Sequence, residues 1–484
     1  MRSPTLSRRE WLFASAAAAA CVPFRPNAAA KSATAKSSVQ KGQASGKYIT
    51  PEQFGARGDG VTNDTDAFAA MAEYVNRHGG GTIALRPTTY IVGKQAPDRA
   101  RPEYYLAAAK IMNFNGCTKS LAILGNGARI RCADGLRFGT FDPTTAQPTN
   151  HPLPYYGGGE ICTPYEVMLR IENCTGSVDI SNLELDGNLP RLLIGGPWGD
   201  TGWQIRGFGI QLVNNACSEQ LTNVYTHHLA QDGLYIDGVL ERDSASALEN
   251  LVSEYNARQG CTIAGGSNYS FVNCQFNHTG QDGLASAPCA GVDIEAESKA
   301  IRDLNFSGCE FANNGGCGML ADSGDTDGAT FDSCKFIGTI SFSAWPNKPH
   351  IRFSNCQFVG EVARPYGDPD AERAAQFSNC VFVDDSTLSP TGQVFGPGRP
   401  IGDFGTWQNV LFDGCRFDLK NDMVLPWSAK VIYNNCTMSQ VSTTLAYPRG
   451  TFTGTNTIVG NVGLAGSIIL GDLTVNGVLK PRTG

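Results

Sequence analysis

The sequence predicts an all-β fold, a single-stranded right-handed parallel β-helix with an N-terminal capping α-helix, and three observations predict it. A short phrase recurs along the chain, glycine-led pentads fall at one-coil spacing, and one amphipathic helix precedes both. From residue 273 onward the phrase reads NCQF, GCEF, SCKF, NCQF, NCVF, GCRF and NCTM, at 273, 308, 333, 355, 379, 414 and 435. Looser copies stand at 115 (NGCTKS) and 172 (ENCTGS). Cysteine and phenylalanine lie two apart, so both point to one side of a strand, and the mostly polar residue between them points to the other. Asn or Gly precedes the cysteine in all but the 333 copy, as a turn with left-handed backbone requires. Units this short cannot bury an apolar face alone; stacked coils share one continuous core. A leucine-rich repeat lacks support, because neither its leucine pattern nor its helical half is present.

The chain has 484 residues, net charge −7 and 17% charged residues, with 56 glycines suited to many tight turns. No basic stripe marks a nucleic-acid partner, and no apolar run outside the N-terminus reaches a membrane span. Residues 1–30 read as an export signal of twin-arginine type: Arg8 and Arg9, then Trp11 and Leu12, an alanine-rich run and NAAA. Cys21 permits a lipoprotein anchor. Residues 31–47, rich in Ser, Ala and Lys, read as a disordered linker, with the β-helix domain over 48–484. The expected location is periplasmic or secreted. The 16 cysteines are expected as buried free thiols, since a protein exported folded forms its core in a reducing compartment.

The domain opens with ITPEQFGARGDGVTNDTDAFAAMAEYVNRHGGGTIALRPTTYIV. Asn63 or Asp64 can cap a helix carrying Phe68, Met71 and Val75 at helical spacing, and Gly79, Gly80 and Gly81 end it. The stretch FGARGDGVTNDTDAF resembles the opening of the pectate-lyase-like superfamily, which includes polygalacturonases, rhamnogalacturonases and epimerase-like lyases. That resemblance implies that this helix covers the first coil of a β-helix, and it implies no particular reaction. A covered end is also what physics requires, because an open end coil exposes unpaired backbone groups.

Superposing GIQLV (209), GLYID (233), GCTIA (260), GVDIE (291) and GMLAD (318) on their first glycine sets a register. The second and fourth columns are apolar and point inward; the third and fifth point outward. The outward columns read Gln211, Tyr235, Thr262, Asp293, Leu320 and Val213, Asp237, Ala264, Glu295, Asp322. Asp293 and Glu295 then share a face about 7 Å apart. Glu295 and Asp322 are expected on neighbouring coils, where like charges raise one pKa. Two QDGL copies add Asp232 and Asp282, and His227, His228, Arg258 and His278 stand near them. The alternative is a solvated acidic face, against which stacked like charges count as a penalty without a role.

Paired carboxylates suit glycoside hydrolysis, one acting as acid and one as base or nucleophile, about 6.5–9.5 Å apart in inverting enzymes. The candidate catalytic residues are Asp232, Asp237, Asp282, Asp293, Glu295 and Asp322, with Tyr235, Arg258, His228 and His278 as substrate-binding candidates. QDGLYID resembles the Asn-Thr-Asp-Gly segment of polygalacturonases, which implies an acidic role for Asp232. The following coil departs from that family, with Arg258-Gln259 in place of an Asp pair and no Gly-His-Gly. A polysaccharide lyase or epimerase on uronate-containing glycans is the alternative, with Arg258, Tyr235 or His278 as base and calcium offsetting charge. A non-catalytic carbohydrate-binding β-helix is the third. No metal or cofactor is expected for a hydrolase, and the expected partner is a polysaccharide or oligosaccharide. Oligomeric state and the sugar itself are not set by the sequence.

Overall fold

In the computed structural model the described residues are 48–483 apart from 99, 152–158, 197–204, 243, 298, 397, 403–407 and 427–429. The export signal, Cys21 and the linker therefore lie outside the described residues. Almost every strand is parallel to its neighbour one coil away, and the coils carry three strand columns, here faces 1, 2 and 3. Face 1 runs through Met112–Asn115, Val167–Glu172, Phe208–Val213, Asp232–Asp237, the first part of Gln259–Val272, Ala290–Glu295 and Met319–Ser323. Face 2 includes the first part of Glu219–His227, Ser246–Glu249 and Ile301–Ser307; face 3 includes the last part of Glu219–His227, Val252–Glu254 and Gln275–Asn277. Parallel neighbours joined through successive coils give the right-handed crossover geometry that strand twist favours.

The recurrent phrase marks the turn from face 2 to face 3. Asn273, Asn355, Asn379 and Asn435 adopt φ between 53° and 56°, Gly308 and Gly414 match them, and Ser333 fits the same conformation at φ 54°. Asn250 donates to Asn223, and Asn223 to Asn182, so amides ladder along this corner. Inside it, Phe311, Phe336, Phe358, Phe382 and Phe417 stack with centroids 4.6–5.0 Å apart. A second ladder on face 2, through Phe306, Phe331, Phe353, Phe377 and Phe412, meets the first edge-on. Every cysteine among the described residues is buried and free. The thiols of the repeat cysteines from Cys274 onward point at backbone carbonyls of the preceding coil, as Cys356 does toward Phe331.

The capping helix α1 (Thr65–His78) buries Phe68, Met71, Ala72 and Val75. Asn63 accepts from Thr65 N–H and Oγ1, while Asp64 turns back to accept from Arg57 and Gly58 N–H. Gly79, with φ 73°, ends the helix. Its fit to the coil is specific: Asn76 donates to the Asn113 carbonyl and accepts from Asn115 N–H, filling the open edge of the first face-1 strand. At the other end, Asp472–Val475 and Val478–Leu479 form an antiparallel hairpin through Asn476 and Gly477, both with positive φ. No helix among the described residues is long and apolar enough to cross a membrane.

Candidate functional site

Face 1 pairs Ile210, Leu234, Cys261, Val292 and Met319 in one inward ladder, and Gln211, Tyr235, Thr262, Asp293 and Leu320 in the next outward one. That is the register read from the pentads. At the fifth column it slips. A bulge pairs Asp237 with Gly265 instead of Ala264, and a second pairs Glu295 with Ser323 instead of Asp322. The expected stacking of Glu295 on Asp322 is therefore corrected: Ser323 Oγ donates to Glu295 Oε1 at 2.8 Å in its place.

The outward columns are also far less open than strand alternation implies. Asp232 and Asp293 are fully buried, and Gln211, Thr262 and Leu320 nearly so. Gln95–Ala96, Tyr104–Ala108, Arg137–Thr140, Ile161–Cys162 and Leu193–Gly195 assemble into a separate five-stranded sheet that the repeat does not show. Asp232 takes a bidentate ion pair from Arg258, with Nε and Nη2 each 2.9 Å away, and a bond from Thr262 Oγ1 at 2.8 Å. Asp293 accepts from Gln259 Nε2 at 2.7 Å. Asp232 anchors Arg258 and Asp293 holds Gln259, and neither carboxylate meets solvent.

The second QDGL does not repeat the first. Asp232 pairs with Gln259, and Gln259 with Ala290, so Asp282 is not its equivalent two coils on. Asp282 forms a local bridge with Leu284 and contacts His228 Nε2 at 3.0 Å. His228, Tyr255 and His278 stack as parallel rings at the end of face 3, away from the face-1 cleft. The candidate residues thus divide between two places.

What remains on face 1 is a groove formed by two hollows of about 440 and 310 Å³ that share Arg170. The first is bordered by Asp98, Arg101, Lys110, Glu166 and Glu172. Arg206, Gln211, Gln231, Tyr235, Asp237, Arg258 and Glu297 line the second. Cations and carboxylates alternate, so the groove is not the acidic cleft that the outward columns imply. Phe208 and Tyr235, with ring centroids 5.3 Å apart, supply an aromatic floor.

Two carboxylates here sit in opposite settings. Asp237 is paired with Lys299 Nζ at 3.1 Å. Glu297 is largely exposed as a residue, but its carboxylate folds over Tyr235, whose hydroxyl donates to Oε2 at 3.3 Å. Desolvation there, and the Glu295 charge, lift the Glu297 pKa above the usual 4.5 against the pull of Arg258 and Tyr235. Burial foremost, then the charges of Glu297 and Asp237, raise Tyr235 well above an ordinary phenol. Glu297 stands two residues past the Ala290–Glu295 strand, outside the pentad, so period-two alternation does not place it. Arg170 and Arg206 have no signal in the sequence beyond their charge. A larger hollow of about 740 Å³ lies on later coils by Asp384, whose carboxylate is occupied by the N–H groups of Lys420, Asn421 and Met423.

The family model of the right-handed β-helix region matches residues 169–358. This chain folds as a right-handed parallel β-helix. A capsule KN3-specific depolymerase of Klebsiella phage KN3-1 is 48% identical over 46 residues, 9% of this chain and 6% of that protein's length. Among solved structures, the A-module of the mannuronan C-5 epimerase AlgE6 from Azotobacter vinelandii is 14% identical, covering 90% of this chain and 100% of that one at a TM-score of 0.40. The tailspike protein of Acinetobacter baumannii bacteriophage Fri1, a capsular polysaccharide depolymerase, is also 14% identical, over 87% and 64% of the chains, at a TM-score of 0.43.

Proposed function

We propose that this β-helix is a polysaccharide-active enzyme, exported through a twin-arginine signal, and that it is a glycoside hydrolase working in the face-1 groove. One observation carries the reading: two carboxylates flank the Tyr235 ring in opposite electrostatic settings, Glu297 with a raised pKa and Asp237 against Lys299. A carboxylic acid kept protonated can give its proton to the glycosidic oxygen, while an ionised partner activates water or attacks the anomeric carbon. Glu297 is the proton donor and Asp237 the ionised partner. Tyr235 remains a hydroxyl donor, and with Phe208 it offers ring surface to a sugar. Arg258, held by Asp232, reaches the groove through its remaining nitrogen.

The depolymerase named among the relatives supports a capsule-like glycan as substrate class. A lyase or epimerase is the second reading, favoured by Arg170, Arg206 and Arg258 in the groove, cations that match a uronate carboxylate. It is weakened by its candidate bases: Tyr235 holds its proton more tightly than a free phenol, Arg258 is tied to Asp232, and His278 lies outside the groove. Calcium belongs to that second reading only.

The products separate the readings. Purified protein is incubated with a panel of acidic and neutral bacterial capsular polysaccharides, and both reducing ends and ultraviolet absorbance are followed. A hydrolase releases reducing ends without an unsaturated chromophore, and Glu297→Gln and Asp237→Asn each lower the rate by about 10²-fold or more. An absorbing product transfers the assignment to the lyase reading, and the absence of any product from the whole panel contradicts both.

A further inference from the structure

We infer that the end of face 3 carries a binding site for a divalent transition-metal ion of the zinc type, formed by Asp186, His227 and His228. Asp186 and His227 are register partners on consecutive coils, each the last residue of its strand, and both are buried. His228 follows in a left-handed backbone conformation, φ 53°, which swings its ring back toward His227. The two Nδ1 atoms come within 2.5 Å of each other, and Asp186 Oδ1 lies 3.7 Å from His227 Nδ1. One ligand atom from each residue thus falls in a cluster no wider than 4.8 Å.

The far side of each ring fixes what those Nδ1 atoms offer. His227 Nε2 faces Glu184 Oε1 at 3.1 Å, and His228 Nε2 faces Asp282 Oδ2 at 3.0 Å. A carboxylate accepts, so each Nε2 donates outward, and the two Nδ1 atoms are left turned toward each other and toward Asp186 Oδ1. Two ring nitrogens that close need a positive centre, a proton or a metal ion, between or beside them. A carboxylate behind each imidazole is also the arrangement that orients metal-bound histidine and strengthens it as a ligand. Asp186 divides its oxygens: Oδ2 pairs with Arg129 and lies 3.6 Å from Arg131, while Oδ1, which accepts from Asn188 N–H, faces the histidines.

Two imidazoles and one carboxylate suit zinc and its transition-metal neighbours; calcium and magnesium prefer oxygen alone. Three protein ligands leave a fourth position for water. The ion would clasp two consecutive coils beside the half-buried stack of His228, Tyr255 and His278, apart from the residues lining the face-1 groove.

Tag-free protein, stripped with chelator and dialysed, is titrated calorimetrically with Zn²⁺ and followed by the visible absorption of bound Co²⁺. The site predicts one ion per chain, low-symmetry Co²⁺ bands, and a Tm that rises with Zn²⁺ concentration. His227→Ala and His228→Ala abolish the calorimetric signal while far-ultraviolet circular dichroism is retained. Asp282→Asn, which keeps all three ligands, weakens binding about 10–100-fold. Asp237→Asn, in the groove, leaves binding unchanged, which separates this site from the hydrolase assignment. Failure of the stripped protein to bind Zn²⁺, or equal binding by a His227→Ala/His228→Ala double variant, overturns the proposal.

Discussion

In the proposed hydrolase the chemistry turns on Glu297, and its pKa shift has a definite sign. Desolvation foremost, with the Glu295 charge, outweighs Arg258 and Tyr235, so the folded protein holds the proton more tightly than a free glutamate does. A group with a raised folded pKa stabilises the fold fully at pH below its unfolded value, and that contribution is lost as pH rises through the folded value. Catalysis follows the same sign, because a proton donor works only while protonated. The expected kcat/KM profile therefore has a descending limb above the ordinary glutamate range, and Glu297→Gln removes that limb along with most of the activity. A limb unchanged in Glu297→Gln assigns the proton to another group. Tyr235, shifted upward, contributes no limb below alkaline pH.

Among the elements, the strand columns divide into those set by alternation and those set by insertions. The phenylalanine corner belongs to the first kind: Phe358 contacts Phe336 and Phe382 in the stack and Phe353 and Phe377 edge-on. Phe358→Ala removes a ring that is fully buried, and its expected cost is about 3–5 kcal/mol, read as a lower denaturant midpoint. Phe and Cys two apart were legible because only a strand puts both on one side. Four of the five pentad columns were legible for the same reason. The fifth was not, since the bulges before Asp237 and Glu295 shift register by one residue without altering the spacing of the glycines. Burial of Asp232 and Asp293 was equally hidden. Arg258 and Thr262 meet Asp232, and Gln259 meets Asp293, from neighbouring coils, and an outward-pointing side chain remains outward whether solvent or another side chain lies beyond it. The two QDGL copies misled because four identical residues do not fix the coil position at which they fall.

For the whole molecule, α1 seals one end of the coil stack, a hairpin closes the other, and the inserted region borders the first hollow of face 1 through Arg101 and Ala108. Of the acidic residues between 277 and 298, Glu297 reaches the groove and Asp282 the histidine corner. The central claim is that a glycan lies along face 1 between Arg101 and Glu297. Hydrogen exchange of the Glu297→Gln variant, with and without an oligosaccharide released from the susceptible capsule by the wild-type protein, tests it most directly. The account predicts slowed exchange in the segments around 98–113, 166–172, 206–213, 231–237 and 258–265, with coils beyond 375 unchanged. Protection centred on the hollow beside Asp384 and Met423, with face 1 unaltered, would contradict it.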